Sequence, residues 1–143
     1  MDYRGFLGEV QRLGGFASDR ETRAVVANVL MAMAEVLPRD QLEGLAAKLP
    51  PELGVYLQSS RREPDPYFDG QLFLGWVVSS VDATGQRDKT DGGLDLYSAY
   101  SGEEAIRRCQ CVFAVLKKLV EPEHHDQLAG LLPDQVECWF LDA

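Results

Sequence analysis

The cysteines Cys109, Cys111 and Cys138 and the histidines His124 and His125 are the only soft metal-ligand side chains in this 143-residue sequence. Zinc is held tetrahedrally, and its ligands usually arrive in Cys-x-x-Cys or His-x-x-x-His pairs that aim two donors at one point. Neither spacing occurs. Cys109 and Cys111 lie two apart on what reads as a helix and diverge, as do the adjacent histidines, so the cysteines read as small core residues and no metal or cofactor is expected. A nucleophile would need a Ser or Cys beside a His and an orienting acid; Cys109 with His125 is conceivable but has no supporting spacing. Glu103-Glu104 and Glu121/Glu123 stand where helices begin, and the helix dipole favours carboxylates there without any catalytic role. The pairs Gly14-Gly15 and Gly92-Gly93 lack the lysine and the strand-to-helix setting of a phosphate loop. Asp88-Lys89-Thr90-Asp91-Gly92 misplaces the oxygens that a calcium loop needs at positions 1, 3 and 5. No catalytic residue is assigned, and the chain reads as non-catalytic rather than as an enzyme.

Composition narrows the class. An apolar fraction of 45% and a charged fraction of 26% are ordinary for a globular fold. The net charge of −9 divides into −2 over residues 1–68 and −7 over residues 69–143, and the longest basic stripes are pairs such as Arg107-Arg108 and Lys117-Lys118. Phosphate backbones are bound by clustered Lys and Arg, so neither nucleic acid nor an anionic membrane is an expected partner. The segment MDYRGFLGEV has neither the basic leader nor the apolar core of a secretion signal, and Leu72–Val78 is too short to cross a bilayer. With an odd number of cysteines, the expected compartment is the reducing cytoplasm.

The elements that would position any site repeat. Phe6-Leu7-Gly8-Glu9-Val10 returns as Phe73-Leu74-Gly75-Trp76-Val77, 67 residues later, each with an Asp four residues before its Phe that marks a helix start. Leu45–Pro50 returns as Leu128–Pro133, 83 residues later. Ser18-Asp19-Arg20-Glu21 and Ser101-Gly102-Glu103-Glu104 are both Ser-x-x-Glu capping boxes, again 83 apart. From Glu21 the apolar residues Val25, Val26, Val29, Leu30, Met33, Val36 and Leu37 recur at helical spacing, and their counterparts keep it everywhere except at Arg108. Pro38 and Pro122 end the long helices. The pattern predicts an all-α fold of two tandem related units of about four helices each, packed as one compact bundle. The boundaries are a first repeat at 1–58, a linker at 59–68 containing Pro64 and Pro66, and a second repeat at 69–143 with an inserted loop at 82–100.

Met1-Asp2-Tyr3 followed by Phe6-Leu7, the Leu-Ala-x-x-Leu-Pro-x-x-Leu run at Leu45–Leu53, Asp65-Pro66-Tyr67-Phe68-Asp69 and the second Phe-Leu-x-x-Val together resemble the bacterial "domain of unknown function 2267". The resemblance spans nearly the whole chain and implies a tandem helical protein of bacterial origin. It assigns no activity and no site residues. Two features depart from its pattern: the longer first-to-second-helix connection of the second half, and Val136 where the Leu-Pro motif is usually followed by Leu.

Function is expected where the halves differ. Between Val81 and Ser101 the second half carries 16 additional residues, acidic through Asp82, Asp88, Asp91 and Asp95. A loop of that length is uncommon unless it is functional or mobile. It reads either as a solvated excursion, with Leu94, Leu96, Tyr97 and Tyr100 packing back on the helices, or as a partner-binding loop. Glu9, Gln11 and Arg23 of the first half become Trp76, Val78 and Ile106, so Leu72–Val78 is apolar nearly all round and must be covered on more than one side. The first half, the loop, a homodimer partner or another protein could provide that cover. The candidate interaction surface is accordingly Trp76, Asp88, Asp91, Asp95, Tyr97 and Tyr100, with Trp76 as anchor because aromatic residues dominate interface energetics. The leading expectation is a protein-interaction or regulatory module; the other is a small-ligand binding or sensory protein with a pocket between the two repeats.

Overall fold

The computed structural model describes residues 1–58, 67–77 and 102–143. Within them the chain is all-helical, in the order α1 (Tyr3–Gly14), α2 (Asp19–Val36), α3 (Arg39–Lys48), α4 (Pro51–Gly54), a 3-10 turn (Val55–Leu57), α5 (Gly70–Val77), α6 (Gly102–Leu119), α7 (Pro122–Ala129) and α8 (Asp134–Asp142). The 16-residue excess, most of the linker and Ser101 of the second capping box lie outside the described residues.

Local chemistry sets the helix ends. The Asp2 carboxylate accepts from the Gly5 N–H at 2.7 Å and Asp69 accepts from the Leu72 N–H at 2.9 Å, satisfying donors that the first turn of a helix leaves orphaned. Ser18 Oγ accepts from the Glu21 N–H at 3.1 Å, and the Glu21 carboxylate reaches back to the Ala17 N–H at 3.3 Å, which completes the reciprocal cap. Gly15 ends α1 in the left-handed region at φ 64°, its N–H donating to the Gln11 carbonyl at 2.8 Å. Pro38 and Pro122 then start α3 and α7, so each long helix stops where a ring blocks its continuation.

The two 18-residue helices α2 and α6 touch each other at the centre, and α1 and α5 each lie against both of them. The 3-10 turn packs on α2 as α8 packs on α6. One continuous hydrophobic core results, drawing on Phe6, Val10, Leu30, Met33 and Leu53 from the first half and Phe73, Phe113, Leu116 and Phe140 from the second. A run of rings crosses it: Phe68 to Phe73 at 6.5 Å, Phe73 to Phe113 at 6.2 Å and Phe113 to Phe140 at 5.3 Å, mostly in edge-on or tilted geometry that the ring quadrupole favours.

Arg108, the one break in the apolar spacing of the second long helix, stays inside. It is 8% exposed. Its guanidinium reaches Glu21 at 3.3 Å and Glu104 at 3.4 Å and lies 5.6 Å from the centre of the Phe16 ring. Arg107 alongside donates to the Gly14 carbonyl and to Glu104, both at 2.6 Å. A cation thus occupies a core-facing position because carboxylates from α2 and α6 and an aromatic face from the α1–α2 turn meet it there.

Candidate functional site

Cys109, Cys111, His125 and Lys117 pack or bond within the fold, while Cys138 and His124 are exposed. Cys109 is fully buried on α6, and burial pushes its thiol well above the ordinary range, which disfavours the thiolate that nucleophilic attack needs. Cys111 is also buried and its thiol is raised, first by burial, with nearby Arg107 opposing. His125 places Nε2 3.0 Å from the Lys117 carbonyl and 2.9 Å from the Val120 carbonyl, so that nitrogen carries a proton and donates to both. It caps the C-terminal end of α6, with its ring edge-on to Phe140 at 6.3 Å. Cys109 is eight residues before Lys117, about 12 Å along the helix axis, so the conceivable Cys109–His125 pair is not assembled. Lys117 in turn donates to the carbonyls of Phe140, Leu141 and Ala143 at 3.0–3.2 Å, closing the end of α8. Among the described residues no group of three or more His, Cys, Asp or Glu could hold a metal ion, and no helix is long and apolar enough to cross a membrane.

Of the six residues read from sequence as an interaction surface, Trp76 is described; Asp88, Asp91, Asp95, Tyr97 and Tyr100 lie outside the described residues. Helix α5 buries Phe73 and Val77 against α2, α6 and α8, while Leu72 and Trp76, four apart and therefore on one face, stay 48% and 36% exposed. The Trp76 ring leans on Phe68 at 6.2 Å and 57°, and Tyr67, next to Phe68, is 85% exposed. The inner face of α5 is thus covered. Its outer face stays half open.

The pocket between the two halves that the sequence offered as an alternative came without residues; the structure has a cleft between α3 and α7 whose lining sequence reasoning missed. It has a volume of about 290 Å³, with Leu45, Val120 and Leu128 as its apolar floor and Asp40, Gln41, Lys48, His124 and Gln127 around its edge. Gly44 opens one wall. The signal was present: Gln41/His124, Gly44/Gln127 and Leu45/Leu128 are all 83 apart, the offset of the Leu-Pro motifs. A second groove, of about 750 Å³, runs along α3 and α4 over Leu42, Ala46 and Leu57, with the Arg39–Glu43 ion pair (3.2 Å) on its rim.

The fold defines a small all-helical protein, and both of these clefts lie between its helices. The profile of a family described as "Uncharacterized conserved protein (DUF2267)" matches residues 3–138, and the chain belongs to that family. Comparison with curated proteins finds no match.

Proposed function

We propose that the chain acts through protein contacts, with the outer face of α5 as the recognition surface. The carrying observation is the half-exposed pair Leu72 and Trp76, apolar side chains on a helix whose other face is fully packed. An indole leaning on Phe68 offers a large rigid contact area at low entropic cost. The acidic stretch with Asp88, Asp91 and Asp95 and the tyrosines Tyr97 and Tyr100 follow α5 in the chain and would extend the surface. The partner is another protein or a second copy of this chain. Light scattering and affinity capture from the native host test the reading: Trp76→Ala should dissociate the complex while leaving the melting temperature within a few degrees of the parent's. A monomer that captures nothing, or a complex indifferent to Trp76→Ala, overturns it.

The reading includes a two-unit organisation, residues 1–58 and 69–143, joined by 59–68. Its support is that the packing pairs correspond when one half is exchanged for the other: α1 on α6 with α5 on α2, α3 on α4 with α7 on α8, and the 3-10 turn on α2 with α8 on α6. The first helix of each unit then crosses to the long helix of the other. A small-ligand function is the second reading, and the cleft between α3 and α7, one helix from each unit, is the observation that favours it.

A further inference from the structure

Resting on that second reading, we infer that the cleft between α3 and α7 takes a small, flat, uncharged molecule with an amide-type edge, such as a cyclic amide or a nucleobase-like heterocycle. Charge argues first. Asp40 and Lys48 stand eight residues apart on α3, about 12 Å along its axis, so a ligand on the floor between them meets neither pole fully. The imidazole of His124 has its own acid, Glu121, at 3.8 Å. Among the residues that line the cleft, the formal charges of Asp40 and Lys48 cancel.

Hydrogen-bonding capacity argues next. Gln41 and Gln127 bring two carboxamides to the cleft, and no hydrogen bond or ion pair engages either side chain among the described residues. A carboxamide offers a donor and an acceptor side by side, which matches the complementary edge of an amide or nucleobase. The floor beneath them is aliphatic and buried through Leu45, Leu128 and Val120, as a ring face requires.

Gly44 supplies the independent observation. It lies in the middle of α3, where glycine is the poorest helix former after proline, yet a Cβ built there would meet no atom within 4 Å. The position is exposed and nothing in the chain's own packing requires a glycine there; Gly8 in α1 and Gly75 in α5 stand in equally open space but do not line the cleft. What the missing side chain leaves is space on the cleft wall, where a flat ring can approach the helix backbone closely. At about 290 Å³ the cleft suits one or two rings rather than a cofactor-sized ligand.

The test uses the full chain and four probes: uncharged uracil and nicotinamide, anionic benzoate and cationic benzylamine. Binding is followed by ¹H–¹⁵N spectra of the Gln41 and Gln127 side-chain amides, assigned through Gln41→Glu and Gln127→Glu. The expected result is that an uncharged probe shifts both amides at millimolar concentration or below, and that Gly44→Leu, which fills the wall at a helix-favouring position, weakens it about tenfold or more without lowering the melting temperature. Gln127→Leu, at an exposed position, gives the same loss should Gly44→Leu perturb the fold. A charged probe shifting the amides while the uncharged ones do not overturns the ligand class but leaves the cleft as a binding site. Failure of all four probes, or undiminished binding in both variants, overturns the site and the small-ligand reading with it.

Discussion

Replacing His125 separates two kinds of contribution to the joint between α6, α7 and α8. The imidazole gives one N–H to two carbonyls at the end of α6, at 3.0 and 2.9 Å, and sets its edge against Phe140. A shared hydrogen bond of this kind contributes about 1 kcal/mol net, and the edge-on ring contact about 0.5–1 kcal/mol more. His125→Ala removes both and leaves a void beside Phe140, so the expected loss is about 2–3 kcal/mol, allowing for the cavity. For a chain of this size each kcal/mol shifts the melting temperature by roughly 3–4 °C, giving a drop of about 6–10 °C. His125→Leu installs the residue found 83 positions earlier, at Leu42. It restores most of the apolar volume but not the donor, and should cost only about 1 kcal/mol. Paired thermal melts with urea titrations check the size of each loss. Amide exchange at Leu119 and Val120 locates it, because fraying of the uncapped turn should raise exchange there first. No loss in His125→Leu, or unchanged exchange at the end of α6 in that variant, would refute the capping argument, and equal losses for the two variants would refute the packing contribution.

Other perturbations have definite signs. Phe113→Ala, at a fully buried ring between Phe73 and Phe140, should cost about 3–5 kcal/mol in chemical denaturation. Gly15→Ala places a side chain at φ 64° and should cost about 1 kcal/mol, whereas at Gly14 a Cβ would come within 2.3 Å of the Phe16 ring, so Gly14→Ala should cost more than Gly15→Ala. Hydrogen bonds from Arg107, and then its charge, hold the Glu104 carboxyl below the ordinary range, so its stabilisation is present above the unfolded-state pKa and is lost as pH falls through the depressed folded value. An acid titration should therefore lose less stability in Glu104→Gln than in the parent. Cys109 has the opposite sign: its thiol is raised by burial, so stability is full below the unfolded thiol's pKa and declines as pH rises above it, and Cys109→Ala should flatten the alkaline limb. Under native conditions iodoacetamide should modify exposed Cys138 and spare Cys109 and Cys111, as intact-mass measurement would show.

Much of the helical layout was legible because its signals are local. Asp2, Asp69 and Ser18 act within their own first turns, and Pro38 and Pro122 act on their own backbones, so the sequence carries those helix boundaries directly. Two features were not legible. The stretch read from sequence as the fourth helix of the first half breaks into α4 and a 3-10 turn, whereas the stretch aligned with it in the second half is the single nine-residue α8, a difference of hydrogen-bond register that hydrophobic spacing does not encode. Spacing also identifies a buried face without naming what buries it. It marked Arg108 as an exception and left unread the Glu21, Glu104 and Phe16 that admit it, since Glu21 is 87 residues away.

The candidate surfaces differ in legibility for a related reason. Trp76 stood out because an apolar residue replaced Glu9 within a repeated motif, a change visible in a single segment. The α3–α7 cleft is assembled from two segments whose polar residues, taken separately, look like solvated helix faces: Gln41 and Lys48 on one, His124 and Gln127 on the other. Of the cleft's residues, Gly44 in the interior of α3 is the one that is anomalous in a single segment, and its cost of about 1 kcal/mol relative to alanine is small enough to pass as an ordinary glycine, like Gly8 in α1 and Gly75 in α5. The structure changes its meaning by removing the steric explanation, since no atom stands where its side chain would be. An interior helix glycine without a close neighbour in the chain leaves backbone open on the cleft wall at a local cost in helix propensity. Gly44→Ala should therefore raise the melting temperature, by up to roughly 3–4 °C for the 1 kcal/mol of propensity recovered, while narrowing the cleft. A melting temperature that falls instead would mean that α3 needs this glycine for its own backbone, and the cleft would lose its best argument.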